Sequence, residues 1–223
     1  MNLSTTHLTT LNDRLATLPL PPMSDAPRGF QRRHRIGSLD LANGALRRFR
    51  EVAGALESES PIPGVDAMAS AARRLTRQFA GTRRAPCIRL RLRCLAALRA
   101  MATEPAWSLD NTKQARVRLI ADYAANQDRL VPDAVPVIGG LDDAVLVELA
   151  WPSLRHDLDD YLDFRRLRAE EAALRGLHPR DIPYDRENWL QSRFAELKWL
   201  AHTRRRGRES YIGPSAPALF RVC

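Results

Sequence analysis

The chain has 223 residues, 44% hydrophobic and 27% charged, with a formal net charge of +9. This composition is that of a globular protein rather than a disordered one, and the length suits one main domain. Only Lys113 and Lys198 are lysines among 35 basic residues, an arginine skew that reads in part as a GC-rich coding bias and weakens any direct step from charge to nucleic acid.

Residues 1–36, with "LPLPPMSDAPRG", are expected to form an irregular arm. The N-terminus lacks a basic n-region and a continuous apolar stretch, and no later window holds eighteen uncharged apolar residues, so neither a signal peptide nor a membrane span is expected. A first helix is expected after Ser38 as N-cap, through "LDLANGALRRFREVAGALE", broken by "SESPIPG". Helices follow near Val65–Ala80 and Cys87–Met101, separated by "GTRRAP"; "RLRLRCL" is the one strand-like run, drawn to helix by the "AALRAMA" after it. Ser108 or Asp110 can cap the next helix, which reaches Asn126 and buries Val117, Leu119, Ile120 and Tyr123.

A new helix starts at Leu141, and Pro152 suits the first turn of another long one with the stripe Leu154, Leu158, Tyr161, Leu162 and Leu167. The last helix, "ENWLQSRFAELKWLAHTR", places Leu190, Phe194, Leu197 and Ala201 on one face. Apolar spacing of three and four throughout predicts an all-α helical bundle over 37–205, with a Pro/Gly-rich elbow between two central helices and a basic, apolar tail over 206–223. The cysteines Cys87, Cys94 and Cys223 form no C-x-x-C pair, and the first two lie roughly 10 Å apart along a helix, beyond disulfide reach. A reduced, cytoplasmic protein is expected, at most peripheral to the inner face of the membrane.

Charge is segmented. Residues 61–102 carry nine arginines, Arg73, Arg74, Arg77, Arg83, Arg84, Arg89, Arg91, Arg93 and Arg99, against one acid, whereas 103–175 carry nine basic and fourteen acidic residues. Packing of one segment on the other is the first expectation, because opposite potentials attract and contact distances are little screened. The alternative is an anion-binding face, for nucleic acid or an anionic membrane surface. Phe79 is its one interleaved aromatic, which gives single-strand stacking little support. "HTRRRGR" at 202–208 is a second basic cluster.

Between the two central helices lies "DRLVPDAVPVIGGLDDAVLVELAW". Pro132 and Pro136 restrict φ and remove donors, Gly139 and Gly140 permit positive φ, and Asp142 and Asp143 fall in the first turn of the next helix, where unpaired N–H groups and the dipole favour carboxylates. Asp133 can cap a short turn. The frame Pro132, Asp133, Pro136, Gly139, Asp142, Asp143, over about residues 121–168, resembles the YkvA-like domain-of-unknown-function family, whose core reads roughly D-L-I-P-D-x-I-P-V-L-G-x-L-D-D-A. The resemblance implies a helical hairpin and no agreed activity; many members are taken to be membrane-associated, but the charges in this window argue against a span here. The family's first Asp falls at Arg129, with Asp128 one step earlier.

Converging carboxylates with backbone carbonyls suit a hard cation such as Mg²⁺ or Ca²⁺. Asp133, Asp142 and Asp143 form one candidate metal set, with His156, Asp160 and Asp163 on the next helix; a solvated acidic face pairing with Arg155, Arg165 and Arg166 is the simpler expectation. The five histidines are scattered, and there is no H-E-x-x-H or G-x-S-x-G. The expected function is therefore a non-catalytic interaction or scaffold module for a protein partner, with no cofactor, ahead of an anionic-surface binder and of a divalent-metal-dependent enzyme using the aspartates.

Overall fold

The computed structural model describes residues 11–23, 35–36 and 39–208. Those residues form an all-α protein of seven helices: α1 (Leu11–Thr17), α2 (Asn43–Ala55), α3 (Val65–Gln78), α4 (Pro86–Thr103), α5 (Asn111–Ala125), α6 (Leu141–Leu174) and α7 (Arg186–Arg208). A minimal antiparallel pair, β1 (Arg35–Ile36) and β2 (Leu39–Asp40), sets Ile36 opposite Leu39. Because Leu39 and Asp40 are spent in that pair, α2 begins at Asn43, later than expected; Ser38 lies outside the described residues. The segment expected to be irregular contains α1, which buries Leu15.

The chain divides into two compact units, Met1–Asp163 and Phe164–Cys223. In the first, α4 packs on α5 and α1, α2 packs on α5, and α3 packs on β1. Pro86 opens α4, where its missing N–H costs nothing. "RLRLRCL" is helical because its apolar positions continue to Leu95, Leu98 and Met101, burying Cys87, Ile88, Cys94, Leu98 and Met101 at helical spacing. Asp110 caps α5, accepting from the N–H groups of Thr112 (3.0 Å) and Lys113 (3.3 Å), while Ser108 takes a left-handed turn conformation instead. Of the four residues expected inside on α5, Leu119 is only half-buried. Edge-to-face pairs Phe49–Tyr123 (6.3 Å) and Trp107–Tyr161 (5.6 Å) occupy the core.

Pro152 does not open a separate helix. It lies inside α6, which runs unbroken for 34 residues. An interior proline costs about 3 kcal/mol by removing one i→i−4 bond and crowding a carbonyl. Here it sits on the exposed side, while Leu146, Val147, Leu154 and Leu158 are buried on either side of it and hold the helix in one piece.

In the second unit, α6 stops at Gly176 (φ 66°), where the Leu177 N–H donates to the Ala172 carbonyl (2.9 Å), a glycine C-cap. Phe164 stacks on Tyr184 (5.8 Å), Arg168 lies over the Phe164 ring (5.0 Å), and Ala172, Ile182 and Trp189 are buried. Among the described residues no helix is long and apolar enough to cross a membrane.

Candidate functional site

The elbow between α5 and α6 is held from three directions. Val137 donates its N–H to the Arg83 carbonyl (3.0 Å) and accepts from the Ala85 N–H (2.8 Å), docking the elbow on the α3–α4 connection. Val137 adopts φ 70° to do so, a conformation that a β-branched residue takes only at a strain of about 1–3 kcal/mol. Gly140 has φ 76°, as its type allows. Gly139 is needed for a different reason: a Cβ there would lie 2.5 Å from the Asp133 carbonyl oxygen and 2.9 Å from that of Val135.

Asp142 and Asp143, the second and third residues of α6, are buried. Oδ2 of Asp142 accepts from the Tyr123 hydroxyl (2.7 Å) and the Val131 N–H (3.1 Å), and the same hydroxyl accepts from the Leu130 N–H (3.2 Å). One carboxylate and one phenol thus satisfy two buried amides of the elbow and tie it to α5 and α6 together. Oδ2 of Asp143 accepts from Arg129 (3.0 Å), whose other terminal nitrogen reaches Asp133 (2.7 Å). Asp133 also accepts from Arg84 (2.9 Å). The other oxygens, Oδ1 of Asp142 and of Asp143, and Nε of Arg129 have no hydrogen-bond partner among the described residues.

Burial raises the pKa of Asp142, against the Tyr123 hydroxyl and the amides of Val131, Asp142 and Asp143, which favour its charge. Burial and then the neighbouring Asp142 push Asp143 up to about 7, against Arg129. Tyr123 is pushed up by burial and then by Asp142, so its hydroxyl stays protonated and donates. Two buried, neighbouring carboxyls thus disfavour a second charge while their partners pin the elbow.

All six motif residues therefore meet at one elbow, but the wider candidate metal set does not assemble. His156 lies thirteen residues beyond Asp143 on one helix, about 20 Å along its axis, and Asp160 lies farther still, both exposed. His156 accepts from Arg155 (3.3 Å) instead. Asp133 and Asp143 are bridged by a guanidinium where a metal ion would have to sit, and Asp128 is exposed and joins neither. Among the described residues no three His, Cys, Asp or Glu side chains are grouped to hold a metal ion. Arg129 is thus the counter-charge of the cluster.

The expected pairing of the basic and acidic segments is seen at Arg84 and Arg91. Arg84 meets Asp133, and the buried Arg91 meets Glu148 (2.6 Å) while donating to the carbonyls of Leu18 (2.8 Å) and Cys87 (3.1 Å). Arg73, Arg74 and Arg77 line a cleft of about 610 Å³ on α3 with Ser70 and Gln78. Sequence reasoning missed Tyr123, which reads as one more apolar position on its helix face, and Arg84, 49 residues away from Asp133.

No family model matches the chain, and no curated protein or solved structure matches it either.

Proposed function

We propose that the protein is a non-catalytic interaction module on a YkvA-like helical core, which presents an arginine-lined surface to an acidic protein partner. The P-D-x-x-P-x-x-G-x-x-D-D frame supports the YkvA-like reading, since its glycine and its three aspartates each have a defined task in one elbow. The α3 cleft carries the binding reading: Arg73, Arg74 and Arg77 follow one another on one helix face around a concavity wide enough for a peptide side chain or a phosphate. Asp142 and Asp143, by contrast, face inward and are engaged by Tyr123 and Arg129, and Asp133 at the rim is held by Arg84 and Arg129. A reducing compartment fits the free, buried thiols of Cys87 and Cys94.

The experiment is chromatography of the full chain on immobilised poly-glutamate and on duplex DNA, with elution by a salt gradient. The protein is expected to bind poly-glutamate at low salt, and the triple variant Arg73→Ala/Arg74→Ala/Arg77→Ala to elute markedly earlier. Identical elution of the variant overturns the role of the cleft. Tighter binding to DNA than to poly-glutamate, lost in the same variant, replaces the acidic protein with nucleic acid, the second reading that this cleft supports.

A further inference from the structure

The stretch "LPLPPM", residues 18–23, follows α1 and belongs neither to the elbow nor to the α3 cleft. Its conformation is set locally. Pro19, Pro21 and Pro22 fix φ at about −65°, and the residues that precede a proline, Leu18, Leu20 and Pro21, are driven out of the helical region into extended backbone. Together these restrictions favour polyproline II, a left-handed helix with three residues per turn. In the structure the backbone from Pro19 to Met23 is neither helical nor part of a strand, and no peptide bond among the described residues is cis.

The segment is anchored at its inner side. Leu15 and Pro21 are buried, and the Leu18 carbonyl accepts from Arg91 (2.8 Å), the buried guanidinium of α4 that Glu148 and the Cys87 carbonyl also hold. From Pro19 onward exposure follows the three-residue period: Pro19 and Pro22 are exposed, Leu20 and Met23 are half-buried, and Pro21 is buried. Pro19 and Pro22 therefore share one outward edge, about 9 Å apart at roughly 3.1 Å per residue. Among the described residues the main chain from Pro19 to Met23 makes no hydrogen bond, so its carbonyls are left to accept from outside. This chemistry selects the partner. Pro19, Pro21 and Pro22 have no N–H to donate, which rules out uptake as an added β-strand, and an extended backbone does not fill a groove made for a helix. A shallow groove walled by aromatic rings receives prolines three residues apart and donates to the carbonyls between them, and a preformed backbone loses little entropy on docking there.

We infer that Pro19 and Pro22 form an exposed polyproline edge that docks in the aromatic-lined groove of a proline-recognising protein module. This edge shares no residue with the α3 cleft, and each can fail without the other.

The test uses the full chain and three labelled proline-recognising domains, of the SH3, WW and EVH1 types, titrated by fluorescence anisotropy. At least one is expected to bind, and a deca-proline peptide is expected to displace the chain from it. Pro19→Ala/Pro22→Ala, on exposed positions and checked for unchanged circular dichroism, is expected to lower that affinity at least tenfold; Arg73→Ala/Arg74→Ala/Arg77→Ala is expected to leave it unchanged. The inference is overturned if none of the three domains binds, if deca-proline does not displace the chain, if the proline variant binds like the parent, or if the arginine variant loses the binding. It is also overturned if a peptide of residues 15–23 binds while the full chain does not, because the edge is then closed in the folded protein.

Discussion

Arg129 donates to Asp143 at 3.0 Å, and this carboxylate is 1% exposed while the arginine keeps its other end on the half-exposed Asp133. The pair couples a buried charge to the rim of the elbow. Removing the cation alone leaves the carboxylate desolvated without a partner, so Arg129→Met is expected to cost about 3–5 kcal/mol near pH 8 by urea unfolding. In a double-mutant cycle, Asp143→Asn is expected to restore part of that loss, because the charge that needed neutralising is gone. Strict additivity of the two substitutions would show that Arg129 serves another purpose.

Asp143 makes stability depend on pH in a definite direction. Its folded value of about 7 lies above its ordinary 3.8, so between these limits the folded chain holds a proton that the unfolded chain has lost. This contribution is fully present at the acid end and is lost as the pH rises through about 7. The slope reaches at most about 1.4 kcal/mol per pH unit for one group. The parent is expected to gain stability from pH 8 to pH 5 relative to Asp143→Asn, measured by urea midpoints; a parent that loses stability relative to the variant over that range contradicts the assignment.

Tyr123→Phe removes one hydroxyl and disturbs two bonds, the one to Asp142 and the one from the Leu130 amide. Leaving a buried amide unpaired costs about 1–3 kcal/mol, and a chain of this size loses roughly 2–4 °C of melting temperature per kcal/mol. Calorimetry is expected to show a clear drop for Tyr123→Phe and a smaller one for Leu119→Ala, because that side chain is only half-buried.

The two elbow glycines are expected to differ in severity. At Gly139 a methyl group meets the Asp133 carbonyl at 2.5 Å, backbone that cannot move without the turn, which places Gly139→Ala at or above the upper end of the roughly 1–3 kcal/mol that overpacking costs. Gly140→Ala meets only side-chain atoms at 3.3 Å and beyond, and loses about 1–2 kcal/mol to its left-handed backbone. The order of the two unfolding midpoints checks this.

Burial raises the pKa of Cys87 and pushes Cys94 up to about 11. With little thiolate and no access, both are expected to resist iodoacetamide at pH 8 in the native protein and to react fully in urea, as read by peptide mass spectrometry. Modification of Cys94 in the native chain would mean that α4 opens on the labelling time scale.

Helicity, the start of α6 at Leu141 and the elbow itself were legible in the chain, because a 3.6-residue apolar period, a proline pair and a double glycine act over a few residues. That Asp133, Asp142 and Asp143 belong together was legible as a motif, but their partners were not. Arg84 and Tyr123 reach the motif only because the α3–α4 connection, α5 and α6 converge on it, and no local pattern marks such an encounter. Pro152 misled for the same reason: its local preference is a helix start, and burial of the turns before and after it overrides that preference. The apolar face of α7 shows the converse case. Its spacing identifies Leu190, Phe194, Leu197 and Ala201 as a face to be covered, yet spacing cannot say whether the cover comes from the same chain. The sequence alone determined which surfaces are apolar, which are charged and where the backbone can turn. The tertiary structure decided which charges neutralise one another inside and which apolar face is left outside, because burial and pairing depend on residues distant in the chain arriving at one place.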